Sequence, residues 1–193
     1  MKNKLAIFDF DGTLFNTDDV NFRSYSEALK PFGVLLSREH FVKNCNGKHY
    51  TTFVPELLSA AGDDPSLMQE HMEKVHDVKK GLYSSFLSFA KKNDHLFDVI
   101  DGIGENYNIA LVTTASAKNT FEMLDHFGVR EKFGLILTQE DIKKPKPDPE
   151  GFLKAMEHFK ASAENTVIYE DSDVGIEAAE KTGALVIVVD RWN

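Results

Sequence analysis

The chain has 193 residues, 42% hydrophobic and 27% charged, which suits a soluble globular protein with one sizeable core and a modest insertion. A formal charge of −9, from 31 acidic against 22 basic residues, argues against nonspecific binding to nucleic acid or to anionic membranes. The single cysteine, Cys45, excludes an intrachain disulfide, and the start Met1-Lys2-Asn3-Lys4 leads into too short an apolar run for a signal peptide or membrane span, so a cytoplasmic protein is expected.

The first apolar run, Leu5-Ala6-Ile7-Phe8, reads as a buried strand of a parallel sheet, and it ends in Asp9-Phe10-Asp11-Gly12-Thr13. Ligands of open α/β sheets bind beyond the carboxyl ends of such strands. Period-two alternation puts both aspartates on one side of the extended chain, and two carboxylates so close repel unless a cation binds or one is protonated.

Residues 16–92 break the strand rhythm and show helical periodicity. Asn16 to Phe32 reads as one helix with Phe22, Tyr25, Leu29 and Phe32 on a face, ended near Gly33, and Phe53 to Ala61 and Leu67 to Phe89 read as others. Gly102-Ile103-Gly104-Glu105 begins like a dinucleotide fingerprint, but Tyr107 stands at its third glycine and the segment precedes its strand, so a loop is expected.

Strands and helices then alternate. Ile109 to Thr113 is a strand followed by a helix from Lys118 to His126, and Leu135 to Thr138 is a strand leading into the loop Lys143-Lys144-Pro145-Lys146-Pro147-Asp148-Pro149. A helix from Glu150 to Phe159 follows, then a strand, Thr166 to Glu170. A helix from Val174 to Thr182 stops at Gly183 before a last strand, Leu185 to Val189. Such alternation implies right-handed βαβ units and an α/β fold: a Rossmann-like, three-layer core with a parallel sheet. The core is assigned to 1–15 and 93–193, with 16–92 as an inserted α-helical cap.

Each strand end adds a different chemical type. Thr113 and Thr114 offer hydroxyls and an amide at a strand-to-helix junction, where anions bind. Lys144 lies in a loop stiffened by three prolines, and Glu170-Asp171-Ser172 brings two more carboxylates. An acid pair, a hydroxyl, a lysine and an acid pair, in that order, resemble the four motifs of the haloacid dehalogenase superfamily: Asp9-Phe10-Asp11-Gly12-Thr13, Thr113, Lys144-Pro145-x-Pro147-Asp148 and Glu170-Asp171-Ser172. The resemblance covers nearly the whole chain and is nearest to the β-phosphoglucomutase and phosphoglycolate phosphatase-like members with a helical cap.

The resemblance implies that Asp9 attacks phosphorus to form an aspartyl-phosphate, which water hydrolyses. Asp11 would protonate the leaving oxygen and then deprotonate the water. It implies Mg2+ held by the side chains of Asp9 and Asp171 and the carbonyl of Asp11, with Glu170 as a ligand or orienting its waters. Thr113, the Thr114 amide and Lys144 would hold the phosphoryl group, and Lys144 would help keep Asp9 ionised. Asp11 argues for phosphoryl chemistry, since the haloalkanoate dehalogenases of this superfamily lack it. In many relatives an acid stands four places after the last motif aspartate; here that place is Gly175, and Asp173 is expected to be a solvated residue at the helix start.

In the cap, Gly47, Lys48 and His49, with Tyr50, lie where the sugar-phosphate mutases have a substrate-contacting loop, and Arg23 and Lys80 are candidates for a second anionic group. The expected function is a Mg2+-dependent phosphatase of a small phosphorylated metabolite, acting as a monomer or weak homodimer. One alternative is a β-phosphoglucomutase-like phosphomutase. A different class is a noncatalytic module that senses phosphate or metal.

Overall fold

Runs of buried aliphatic residues pair into a parallel sheet because both of their faces are apolar. The structure, a computed structural model, describes residues 2–46 and 48–190. It divides into two compact units, Met1–Asn16 with Lys91–Asn193, and Thr17–Ala90.

In the first unit five parallel strands stand in the order β5-β4-β1-β6-β7. They are β1 (Lys4–Phe8), β4 (Tyr107–Val112), β5 (Leu135–Leu137), β6 (Thr166–Glu170) and β7 (Leu185–Val188). Two short strands, β2 (Phe15–Asn16) and β3 (Lys91–Lys92), pair antiparallel where the chain leaves this unit and re-enters it. Leu5 to Phe8 are wholly buried, because β1 is central and pairs with β4 on one side and β6 on the other. Its Leu5 and Ile7 join Ala110, Val112 and Ile168 against Phe152, Ala155 and Met156 of α7 (Glu150–Phe159) and Ala178 and Ala179 of α8 (Asp173–Glu180). Phe8 stacks on Tyr169 at 4.4 Å between ring centroids, and Phe15 packs at a tilt against Phe10, Phe97 and Phe127. β7 is one of the two outer strands and leaves Leu185 and Val188 exposed.

Two further helices flank this sheet, α5 (Asp94–Ile103) and α6 (Ala117–His126). The expected loop at Gly102–Glu105 is corrected here, for Gly102 and Ile103 form the last turn of α5. The helix is built on Leu96, Phe97 and Ile100 at helical spacing, and the Asn93 side chain caps it by accepting the Leu96 N–H. Asn93 also donates from its amide nitrogen to the Thr13 carbonyl and from its backbone to that of Leu14. A buried asparagine thus ties the helix start to the turn that follows β1.

The second unit is helical: α1 (Asp18–Leu29), a short α2 (Arg38–His40) continuing as a π-helical stretch to Cys45, α3 (Tyr50–Ala60) and α4 (Met68–Leu82). Pro31 tightens the end of the first helix into a 3-10 turn, and Gly33 closes it at φ +75°. The long helix expected to reach Phe89 ends at Leu82 and goes on as a 3-10 segment, Tyr83–Phe89. Its core gathers Tyr25, Leu29, Phe41, Phe53, Val54, Leu58, Met72 and Val75.

His76 stacks on Tyr50 at 3.7 Å, and its Nδ1 is buried with no hydrogen-bond partner. Burial, then the charges of Lys79 and Lys80, hold its pKa down from 6.5 to about 4, against an opposing pull from Asp77. The unfolded chain protonates this ring first as pH falls, so the stability it contributes is present above pH 6.5 and is lost down to about 4. His76→Phe keeps an aromatic ring on Tyr50 and removes the titration. Its melting temperature is expected to fall less than that of the parent between pH 7 and 4, read by thermal denaturation; equal falls would contradict this assignment.

Candidate active site

The site is built where three adjacent strands of the first unit end. Asp9 follows β1 and stays in register with β6 by donating its N–H to the Tyr169 carbonyl at 3.0 Å. The chain then turns tightly. The Phe10 carbonyl accepts the N–H groups of Leu14 and Phe15, and the Gly12 N–H donates to the Phe15 carbonyl at 2.8 Å. Gly12 is required twice over, by its φ of +89° and by a Cβ there lying 2.0 Å from Asp171 Oδ2. The turn carries Thr13, fully buried, whose hydroxyl donates to Asp171 Oδ1 at 2.8 Å.

A lysine and three carboxylates meet here. Lys146 Nζ lies 2.5 Å from Asp9 Oδ1 and 2.5 Å from Glu170 Oε1. Their side chains are 9% exposed for Lys146, 9% for Asp9 and 1% for Glu170, so these are buried charges that need one another. Glu170 Oε2 accepts the backbone N–H groups of Asp171 and Ser172 at 2.7 and 2.8 Å and the Ser172 hydroxyl at 3.1 Å. Burial raises the pKa of Asp9 well above its ordinary value, Lys146 pulls it down, and Glu170 and Asp171 push it up again. Burial likewise lifts Asp171 to about 6 against the lowering hydrogen bond from Thr13. For Lys146, burial alone would lower the pKa, but Asp9 and Glu170 outweigh it and the ammonium is held charged more firmly than usual.

The loop lysine at the carboxylates is Lys146, which corrects the expectation for Lys144. Glu150, at the start of α7, accepts the N–H groups of Lys143 and Lys144 at 3.0 and 2.9 Å, and Lys144 stands exposed. Hydrogen bonding from Lys154 first, then from those two amides, holds the Glu150 carboxyl down at about 2. Lys181 donates to the Pro147 carbonyl, so the loop is tied on both sides of Lys146. The signal was present in the sequence, since Lys-Pro-x-Pro occurs twice in overlap. The second copy, Lys146-Pro147-Asp148-Pro149, is the one that runs straight into α7, whose Phe152 ring lies 5.1 Å from Lys146 Nζ.

The other candidates fall at different places. Thr113 is buried at the end of β4, next to β1, and its hydroxyl accepts the Ala115 N–H at 3.0 Å. Thr114 is exposed beside it and lines a small cleft with Lys144, Lys146 and Asp148. Asp11 is half-buried in the turn. Asp173 is exposed at the start of α8, as expected of a solvated residue. In the helical unit His49 is exposed before α3, its Nδ1 2.8 Å from the Thr51 hydroxyl, and Lys48 is exposed beside it. Gly47 lies outside the described residues. Lys80 is half-buried, and the Arg23 guanidinium lies 3.6 Å from the centre of the Phe89 ring with its Nε buried and unpartnered.

Asp9, Glu170 and Asp171 each offer a carboxylate oxygen, all within 4.8 Å of one another, a donor set that suits a hard divalent cation. One lysine against three carboxylates leaves an excess of negative charge in a buried place, which a cation relieves. The sequence profile of the family described as "Haloacid dehalogenase-like hydrolase" matches residues 6–189. The chain belongs to this family. It is a hydrolase with a parallel-sheet core, and divalent metals are general to its phosphatases. It is 28% identical over 179 residues to "Phosphorylated carbohydrates phosphatase" of Thermotoga maritima, covering 92% of this chain and 81% of the relative. It is 26% identical to "Fructose-1-phosphate phosphatase YqaB" of Escherichia coli, covering 92% of this chain and 91% of that one. A solved structure described as a candidate β-phosphoglucomutase from Thermotoga maritima superposes with a TM-score of 0.77 at 25% identity, over 98% of this chain and 87% of the other. No helix among the described residues is long and apolar enough to cross a membrane.

Proposed function

We propose that the protein is a Mg2+-dependent phosphatase that hydrolyses a small phosphomonoester, a sugar phosphate being the favoured class, through an aspartyl-phosphate on Asp9. The observation that carries this reading is Lys146 bridging Asp9 and Glu170 in a buried pocket of carboxylates at the sheet edge. The names of the relatives above, which act on phosphorylated carbohydrates and fructose 1-phosphate, support the substrate class.

In this mechanism a carboxylate oxygen of Asp9 attacks phosphorus as the bond to the leaving oxygen breaks, and Asp11 supplies the proton that makes the leaving group an alcohol. Asp11, now a carboxylate, takes a proton from water as the water oxygen attacks phosphorus, and the Asp9–phosphorus bond breaks to release inorganic phosphate. Lys146 keeps Asp9 ionised before attack and neutralises charge on the phosphoryl oxygens during transfer. The Thr113 hydroxyl and the Thr114 amide hold that group in line. Asp9 and Asp171 side chains, with the Asp11 carbonyl, would hold Mg2+, which when bound neutralises charge on the transferring group. Glu170 already accepts four hydrogen bonds, so its work is to hold Lys146 and the turn.

The test is release of inorganic phosphate from an activated aryl phosphate and from a panel of phosphorylated metabolites. Turnover with Mg2+, none after chelation, and its return on adding Mg2+ are expected. Undiminished turnover after chelation would overturn the metal assignment, and turnover of no phosphomonoester would overturn the phosphatase. Isomerisation of a sugar phosphate that requires a bisphosphate activator would assign a phosphomutase, the reading favoured by the structural likeness to the candidate β-phosphoglucomutase.

A further inference from the structure

The carboxylate of Glu170 occupies the space that a side chain at position 175 would fill. Gly175 is buried in the first turn of α8, and a Cβ built there would lie 1.7 Å from Glu170 Oε1, 2.0 Å from Cδ and 2.4 Å from Oε2. Its backbone does not ask for glycine, because its φ is outside the left-handed region that Gly12, Gly33 and Gly183 adopt. Room is therefore the reason a glycine stands here. The neighbour cannot yield freely either. Glu170 is wholly buried, with Oε1 on Lys146 and Oε2 on the amides of Asp171 and Ser172 and the Ser172 hydroxyl. A methyl group at 175 swings the carboxylate off these donors, and Lys146 then loses one of its two anionic partners.

We propose that Gly175 is a positioning residue: its bare Cα seats the Glu170 carboxylate and thereby fixes Lys146 against Asp9. The inference rests on the reading of Asp9 and Lys146 as the reacting pair, yet it makes a structural claim that can be judged separately. Gly175 touches neither substrate nor metal in this scheme. Its effect must pass through Glu170, and it must vanish when Glu170 is removed.

The experiment is a double-mutant cycle with a structural arm. Gly175→Ala is expected to lower kcat on the order of 10²-fold, the scale of an ångström-sized misplacement of a reacting group, with the protein folded by circular dichroism. In a Glu170→Ala background, itself impaired, the same substitution is expected to change kcat less than about two-fold, since coupled residues do not add. Equal losses in both backgrounds, or no loss in the parent, would overturn the proposal. If Gly175→Ala does not fold, Glu170→Ala/Gly175→Ala must fold and match Glu170→Ala, and a double variant as unstable as the single would overturn it too. Crystal structures of the parent and Gly175→Ala give the arm that needs no turnover: Glu170 and Lys146 displaced together support the proposal, and both unmoved refute it. A parent inactive on every phosphomonoester would overturn the phosphatase reading while leaving this arm to decide the placement.

Discussion

Asp9→Asn is expected to leave no measurable phosphate release, a loss on the order of 10⁴-fold or more, as when the nucleophile of a catalytic group is removed. The substitution keeps the shape of the side chain and its place after β1, where the backbone is held by the Tyr169 carbonyl. It removes the anion that attacks phosphorus and the charge that Lys146 faces at 2.5 Å. The fold should not suffer. Burial raises the pKa of Asp9, so in the absence of metal the ionised side chain costs stability above its ordinary pKa. The melting temperature in metal-free buffer should therefore hold or rise. Phosphate release and thermal melting measured on the same preparation check both halves, and turnover near that of the parent would remove Asp9 from the chemistry.

Lys146→Met is expected to reduce kcat on the order of 10²- to 10³-fold, the usual cost of losing one charge-stabilising donor in a water-excluded site. Methionine preserves the length of the chain and its packing over Phe152. The variant leaves the Asp9 carboxylate buried without its ammonium, and Asp9 then favours its protonated form. Lys144→Met serves as the control. Lys144 is exposed and its backbone N–H is held by Glu150, so kcat should stay near that of the parent. Steady-state kinetics on the two variants separate the overlapping Lys-Pro-x-Pro frames. The reverse order, with Lys144→Met the damaging change, would return the role to Lys144.

The strand ends were legible because burial and charge change there over one or two residues. Leu5 to Phe8 cannot be anything but a central strand, and the acids at 9, 11, 170 and 171 have no apolar reason to follow buried strands. The helical interruption from Asp18 to Leu82 announced itself by periodicity. What spacing did not convey was which of two lysines in a proline-rich loop turns inward. That is decided by Glu150, which lies outside the motif and grips the amides of Lys143 and Lys144. The helix at Asp94–Ile103 escaped because its glycine pair invited a loop, while the cap that starts it, Asn93, bonds to a turn some eighty residues earlier in the chain. The commitment of Glu170 to the amides after it is likewise a tertiary fact, for a Glu-Asp-Ser string reads equally well as three solvated residues.

The proposed reaction passes through a covalent bond between Asp9 and phosphorus, and that bond can be weighed. Asp11→Asn should let an aryl phosphate, whose leaving group needs no proton, phosphorylate Asp9 while slowing the attack of water on the product. Acid-quenching this variant during turnover and mapping its peptides by mass spectrometry should find the mass of one phosphoryl group on the peptide that carries Asp9, absent when Asp9→Asn is added. Aryl alcohol released catalytically with no phosphoryl group on the chain, or with the group on another residue, would contradict it.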